Sequence, residues 1–240
     1  MIRSAQPART ARPPVWPLRE DLVMRELRPT DARALALYFD QLGATTRRRF
    51  QPHPLTSAEA GRLCSAPAES ALRLVIEHTA GLVAYFIVDT ALSPHEEGRY
   101  AKQGITLERG LDFLFAPSVH DRWQNKGLAS MAMPFILDIC QVWGARSLVL
   151  MGGTQATNAQ AIAFYEKFGF ARHGGYETDC FNHDMRLLLA QPVGQAQTDC
   201  FSKPSRTPAL QSPPDSAGVT APTVGHVEPT GAAHDLHQPR

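Results

Sequence analysis

Residues 111–144, LDFLFAPSVHDRWQNKGLASMAMPFILDICQVWG, constrain the fold more than any other part of the chain. An apolar, β-rich run ends near Val119, a short polar turn follows, and an apolar helical stretch runs from about Asn125 to Gly144. A strand that feeds a helix through a glycine turn presents the first N–H groups of that helix, which have no partner inside it. The helix dipole adds partial positive charge at the same place. Gly127 admits close backbone approach, Ala129 keeps the next position small, and Gln124 and Lys126 add donors. The arrangement suits a pyrophosphate, though small-residue helix starts also occur where no anion binds. Pro117 predicts a bulge or a missing ladder bond in the strand. Pro134 predicts a kink or a place in the first turns of the helix.

The flanking sequence alternates strand and helix between residues 20 and 190. LVMREL reads as a short strand, TDARALALYFDQL as a helix capped by Thr30 or Asp31, and SAEAGRLC as a second helix capped by Thr56 or Ser57. ALRLVIEH and GLVAYFIVD form two β-rich runs joined around Thr79 to Gly81, most simply as a hairpin. Further along, SLVLMGG reads as a strand, NAQAIAFYEKFG as a helix stopped by Gly169, and FARHGGYE and FNHDMRLLL as closing strands. The expected fold is a single mixed α/β domain over residues 20–190, with a largely antiparallel first half.

Composition bounds the rest. Residues 1–19 are rich in Pro, Arg and Ala and predict a disordered leader. Residues 191–240 hold eight prolines and few large apolar residues, too little to offset chain entropy, and predict a disordered tail. The leader has three arginines before Trp16 but no apolar core, so it is a poor secretory signal, and its prolines disfavour a helical transit peptide. A net charge of +1 gives no footprint for nucleic acid, and no apolar run is long enough for a membrane span. Cys64, Cys140, Cys180 and Cys200 are scattered without zinc spacing, which predicts reduced thiols in a cytoplasmic protein and no metal site.

A second motif gives the first its context. NAQAIAFYEKFGF places Asn158 at a helix start, Ala161 one turn on and Tyr165 after two turns, all on one face, before Gly169 and Phe170 return the chain to the sheet. In order and spacing, QNKGLA and NAQAIAFYEKFGF resemble the two signature motifs of the GCN5-related N-acetyltransferase family, over roughly residues 20–190. The resemblance implies a mixed, mostly antiparallel seven-stranded sheet, flanked by helices, with strands four and five splayed around acetyl-CoA. It implies that Gln124, Asn125, Lys126, Gly127, Leu128 and Ala129 hold the pyrophosphate. Ser118 and Val119 would face pantetheine, Asn158 would contact the cofactor and Tyr165 would be the acid. The reaction implied is direct attack of a primary amine, on a small molecule or a peptide, upon the thioester; a homodimer is common in the family. The alternative is an acyl-CoA-binding sensor without turnover.

One position departs from the family pattern. Where a strand-four glutamate is common, this chain has Leu114. Asp112 lies two residues earlier on the same strand face and is the base expected here, with Glu108 and His120 as lesser options and ordered water as another. Plainer roles stand beside these: a packed helix tyrosine for Tyr165, an N-cap for Asn158, a solvated charge run for Arg47, Arg48 and Arg49, and a simple turn for Gly152 and Gly153. The insertion ALSPHEEGRYAKQG, residues 91–104, is expected to border the acceptor side.

Overall fold

A computed structural model describes residues 15–66 and 71–190. The chain divides into two units, residues 1–196 and 197–240, and every described residue lies in the first. The expectations for the leader up to residue 14 and for the tail from residue 191 fall outside the described residues.

The strands are β1 (Val15–Arg19), β2 (Leu22–Glu26), β3 (Ala71–His78), β4 (Gly81–Asp89), β5 (Asp112–Val119), β6 (Ser147–Leu150), β7 (Thr154–Gln155), β8 (Ala171–Glu177) and β9 (Phe181–Leu188). The helices are α1 (Ala32–Gln41), α2 (Ala44–Arg49), α3 (Ser57–Ser65), α4 (Pro94–Ala101), α5 (Leu128–Val142) and α6 (Ala159–Lys167). One sheet runs in the order β1-β2-β3-β4-β5-β6-β9-β7, with β8 also on β9. Every pairing is antiparallel except β5 with β6. The mixed, mostly antiparallel architecture is as expected, but the described sheet has nine strands rather than seven. One addition is the two-residue β7; the other is β1, formed by VWPLR, which the sequence reading had assigned to the leader.

Alternate residues of each strand supply opposite faces. Phe113 and Phe115 of β5 join Phe86 and Val88 of β4 in a core closed by Met133, Ile136 and Cys140 of α5 and Tyr165 of α6. At roughly 1.5–3 kcal/mol per buried aromatic or large aliphatic side chain, this layer is a main source of cohesion. On the other face, Tyr85, Ile87 and Ala116 pack beneath Leu35, Tyr38 and Phe39 of α1 and Leu63 of α3. Leu114 and Val149 lie under Leu92, Tyr100 and Leu107, contributed by α4 and its flanking turns.

The sheet opens between its two parallel strands. β5 and β6 pair from Asp112↔Ser147 to Phe115↔Leu150, and the Met151 N–H still reaches Phe115 O at 3.0 Å. Beyond this, Gly152 (φ +71°) and Gly153 (φ +70°) turn the chain away. A Cβ at Gly153 would lie 2.8 Å from His183 O, so this turn needs glycine. β5 continues to Val119 paired with β4 only. Strands four and five of the expected fold are β5 and β6 here, and they diverge as the resemblance implies.

Pro117 causes neither of the defects expected of it. Ser118 pairs with Tyr85, and His120 N–H donates to Val83 O at 3.0 Å, so even-numbered residues of β5 direct their backbone groups to β4. Odd-numbered residues face the other way, toward β6 and then the gap. The missing N–H of Pro117 therefore falls on the gap side, where no ladder bond is lost. Pro134 sits well inside α5, and the helix continues through it.

Candidate active site

A cleft of about 570 Å³ occupies the gap. One wall is Pro117, Ser118 and Val119; the floor and far wall come from the α5 start, from Gly153 to Gln155, and from α6. Thr46, Arg49 and Phe50 close it from the α2 side.

The turn into α5 is built by two left-handed residues, Asn125 (φ +60°) and Gly127 (φ +80°). The first helical bond is Met131 N–H to Gly127 O at 2.9 Å, so the N–H groups of Leu128, Ala129 and Ser130 stand outside the ladder. All three residues line the cleft, which puts the donors and the dipole where an anion would rest. The Leu128 side chain itself is buried in the core at 1 % exposure, so only its backbone is available. Arg49 and Lys167 add cationic side chains to the lining.

Gln124, Asn125, Gly127 and Ala129 also line the cleft, whereas Lys126 does not; its Nζ stands 5.2 Å from the Trp123 ring centroid. The Gln124 amide donates to Val119 O and to Thr46 Oγ1, both at 3.0 Å, which makes this side chain a strut. Asp121 completes it, accepting from Gly43 N–H and Thr46 Oγ1 at 2.8 Å each. The strut ties the phosphate-type turn to the α1–α2 connection.

Asn158 and Tyr165 share the facing wall. Asn158 Oδ1 caps α6 by accepting from Ala161 N–H at 3.3 Å, so the plain capping role and the place in the cleft coexist. Tyr165 is 7 % exposed, its ring 5.3 Å from both Phe164 and Phe170. Burial raises its pKa above the ordinary tyrosine value, so the hydroxyl keeps its proton over the whole working range. Ser118 is 5 % exposed, and its Oγ accepts from the Tyr38 hydroxyl at 2.9 Å, which fixes β5 to α1 at the cleft. By the alternation above, Val119 N–H points into the gap.

The acetyltransferase (GNAT) family description matches residues 45–170. The chain belongs to this family. Solved structures agree at the level of fold. The GNAT domain of S. lividans PAT superposes with a TM-score of 0.57 at 16 % identity, covering 70 % of this chain and 90 % of that one. The ribosomal-protein-S5-alanine acetyltransferase of Vibrio fischeri gives 0.57 at 13 %, covering 71 % and 94 %. The yncA protein of Salmonella typhimurium, solved with its cofactor acetyl-CoA, gives 0.55 at 15 %, covering 75 % and 100 %. A comparison with curated sequences finds no match.

For this GNAT chain the expected base must be corrected. Asp112 is fully buried at the opposite end of β5 from the cleft, six residues from Ser118. At ~3.3 Å per residue that is roughly 20 Å. Burial works to raise its pKa, but hydrogen bonds from Arg146, Ser147, Glu108 N–H and Arg186 outweigh it and leave the pKa lowered. Oδ1 accepts from Arg186 Nη2 at 2.9 Å and Ser147 Oγ at 2.5 Å, and Oδ2 accepts from Arg146 Nη2 and from Glu108 N–H at 2.7 Å, so both carboxylate oxygens are committed. Face parity along a strand was sound reasoning for Asp112, but it does not say which end of the strand meets the ligand. Glu108 is tied to Arg146 at the same end, and Leu114 is core. His120 stays at the turn, its Nδ1 accepting from Arg122 N–H at 3.2 Å.

Of the three arginines, Arg47 is structural, donating to Phe39 O at 2.6 Å and Leu42 O at 3.2 Å behind α1, while Arg49 reaches the cleft. Sequence reasoning missed Trp123 and Gln155 as lining residues. Their only signal is adjacency to motif residues; the fold brings them in from separate turns.

Proposed function

We propose that this chain is an N-acetyltransferase that moves acetyl from acetyl-CoA to a primary amine, on a small molecule or a peptide, by direct attack in a ternary complex. The carrying observation is one continuous cleft with ladder-free N–H groups at the α5 start and the Tyr165 wall across the gap. The S. typhimurium neighbour with acetyl-CoA supports the choice of donor. The catalytic domain in this reading spans residues 20–190, with β1 added at its edge. Buried free thiols at Cys64 and Cys140 suit a reducing, cytoplasmic setting.

Each residue has a definite task. The N–H groups at 128–130 and the cations of Arg49 and Lys167 take up diphosphate charge. Val119 N–H donates to the acyl oxygen, the place where negative charge develops during attack. Tyr165 donates to the leaving sulfur. A thiol has a pKa near ~8.5 and buried Tyr165 lies well above it, so complete transfer from the phenol alone is uphill. Tyr165 therefore acts by hydrogen bonding as the C–S bond lengthens and by passing on a proton received from the nitrogen. Alignment of amine and thioester supplies most of the remaining acceleration.

The locked Asp112 favours the alternative, an acyl-CoA sensor. Calorimetry with acetyl-CoA and thiol release across a panel of amines decide between them, with wild type beside Gly127→Glu and Tyr165→Phe. Amine-dependent release, abolished by Gly127→Glu, is the expected result. Binding to wild type without thiol release from any amine establishes the sensor. No binding to wild type overturns both readings.

A further inference from the structure

An amine has to shed a proton to react, and none of the described residues lining the cleft is Asp or Glu. At pH 7 only about one alkylamine in 2,500 is neutral, given a pKa of ~10.4. The gap meets the face carrying α4 at Gly152. Gly152 is the hinge of the splay, and its neighbours Gly153 and Thr154 line the cleft. Gly152 N–H donates to Glu96 Oε1 at 3.3 Å, and Gly152 O accepts from the Tyr176 hydroxyl at 2.5 Å. A Cβ at Gly152 would lie 3.8 Å from Gln51 Oε1 and 4.0 Å from the Tyr176 hydroxyl. Glu96, Tyr176 and Gln51 thus gather around one residue at the opening of the sheet.

Glu96 belongs to α4, in the insertion between β4 and β5, and is only 6 % exposed. The groups facing it are Arg99, at 3.8 Å, Asp184, which holds Arg99 Nε at 2.9 Å, and His95, whose Nδ1 lies 3.0 Å from Arg99 Nη1. Arg99 also covers the Tyr176 ring at 4.3 Å. Asp184 Oδ2 and Arg99 Nη2 are buried without hydrogen-bond partners among the described residues, an acceptor and a donor in reserve beside Glu96.

We propose that Glu96 is the proton acceptor for the amine, a role that rests on the acetyltransferase reading. One proton of the ammonium passes through water beside Gly152 to Glu96, which later releases it to bulk water. The neutral nitrogen forms the C–N bond to the acyl carbon and the C–S bond breaks, leaving its electron pair on sulfur. The second proton of the nitrogen reaches that sulfur through the Tyr165 hydroxyl. The products are an amide, CoA thiol and one free proton.

Glu96 also has a structural task, because Ser93 Oγ caps α4 by accepting from Glu96 N–H at 3.3 Å and its hydroxyl donates to Glu96 Oε2. Glutamine keeps the backbone N–H that Ser93 caps and an oxygen that can accept from the Ser93 hydroxyl, but it takes no proton, so Glu96→Gln separates the two roles. Thiol release from acetyl-CoA with benzylamine, spermidine and a lysine-bearing peptide is measured from pH 6 to 10 for wild type, Glu96→Gln and Glu96→Asp, with melting temperatures and acetyl-CoA calorimetry alongside. For Glu96→Gln we expect a lower melting temperature, because Glu96 is buried 3.8 Å from Arg99, but a folded enzyme at 15 °C with acetyl-CoA affinity within twofold and kcat reduced by about 10²-fold or more at pH 7. That deficit shrinks as pH approaches the amine pKa, and Glu96→Asp recovers part of the rate. A Glu96→Gln enzyme with wild-type kcat and pH profile overturns the assignment while leaving the acetyltransferase intact. Wild type that binds acetyl-CoA yet transfers to none of these amines overturns both.

Discussion

Replacing Asp112 with Asn separates the two roles considered for this residue. Its carboxylate is fully buried between Arg146 and Arg186, whose side chains are 35 % and 11 % exposed. Breaking a buried ion pair costs about 3–5 kcal/mol. Arg146 can recover water on its open side, which favours the lower end, about 3 kcal/mol. For a domain of this size that is a drop of roughly 6–12 °C in Tm. The pH dependence has a definite sign. The folded pKa of Asp112 is lowered, so its contribution is complete above the unfolded value of ~3.9 and is lost as pH falls through the folded value. Urea denaturation should therefore show the full deficit at pH 7 and a shrinking one below about pH 4. Thiol release at 15 °C, where the variant remains folded, should stay within twofold of wild type. A variant of undiminished stability that binds acetyl-CoA but loses 10²-fold or more in kcat would refute this reasoning and restore Asp112 as the base.

Other outcomes follow from the same geometry. Tyr165→Phe should lower kcat by about 10²-fold with acetyl-CoA affinity kept, and the raised pKa of Tyr165 means that wild type shows no loss from this group between pH 8 and 10 in a pH–rate profile. Asn158→Ala should cost about 1 kcal/mol from the lost α6 cap, read by urea denaturation, and raise KM for acetyl-CoA. Asp121→Ala frees Gly43 N–H and Thr46, so steady-state kinetics should show KM for acetyl-CoA rising with a much smaller change in kcat.

The parts of the site that could be read from the sequence are those made by local backbone. QNKGLA specifies a turn and a helix start within six residues, and the helix of NAQAIAFYEKFGF places Asn158 and Tyr165 on one face by period alone. Continuous β-rich apolar runs marked β3, β4 and β5. The failures come from tertiary context. β1 carries Pro17 and an exposed, partly polar pattern, so nothing in VWPLR announces its pairing with β2. The Lys126 side chain turns to Trp123, which nothing in QNKGLA announces and which leaves its backbone N–H for the role the motif implies. Glu96 and Gly152 are 56 positions apart, and only the packing of α4 on the sheet joins them.

The splay has a further consequence. Opening a sheet from within creates two raw borders where any extended segment with matching amides could add itself as a strand. Pro117 and the Gly152–Gly153 turn blunt both borders, one by deleting a donor and the other by leaving the strand direction altogether. On the β5 side Val119 is left as the solitary amide beyond Phe115 that faces the opening. In the proposed function a guest is registered against the sheet by one anchor rather than a repeating ladder, and an acyl group that slid by one residue would meet no second amide.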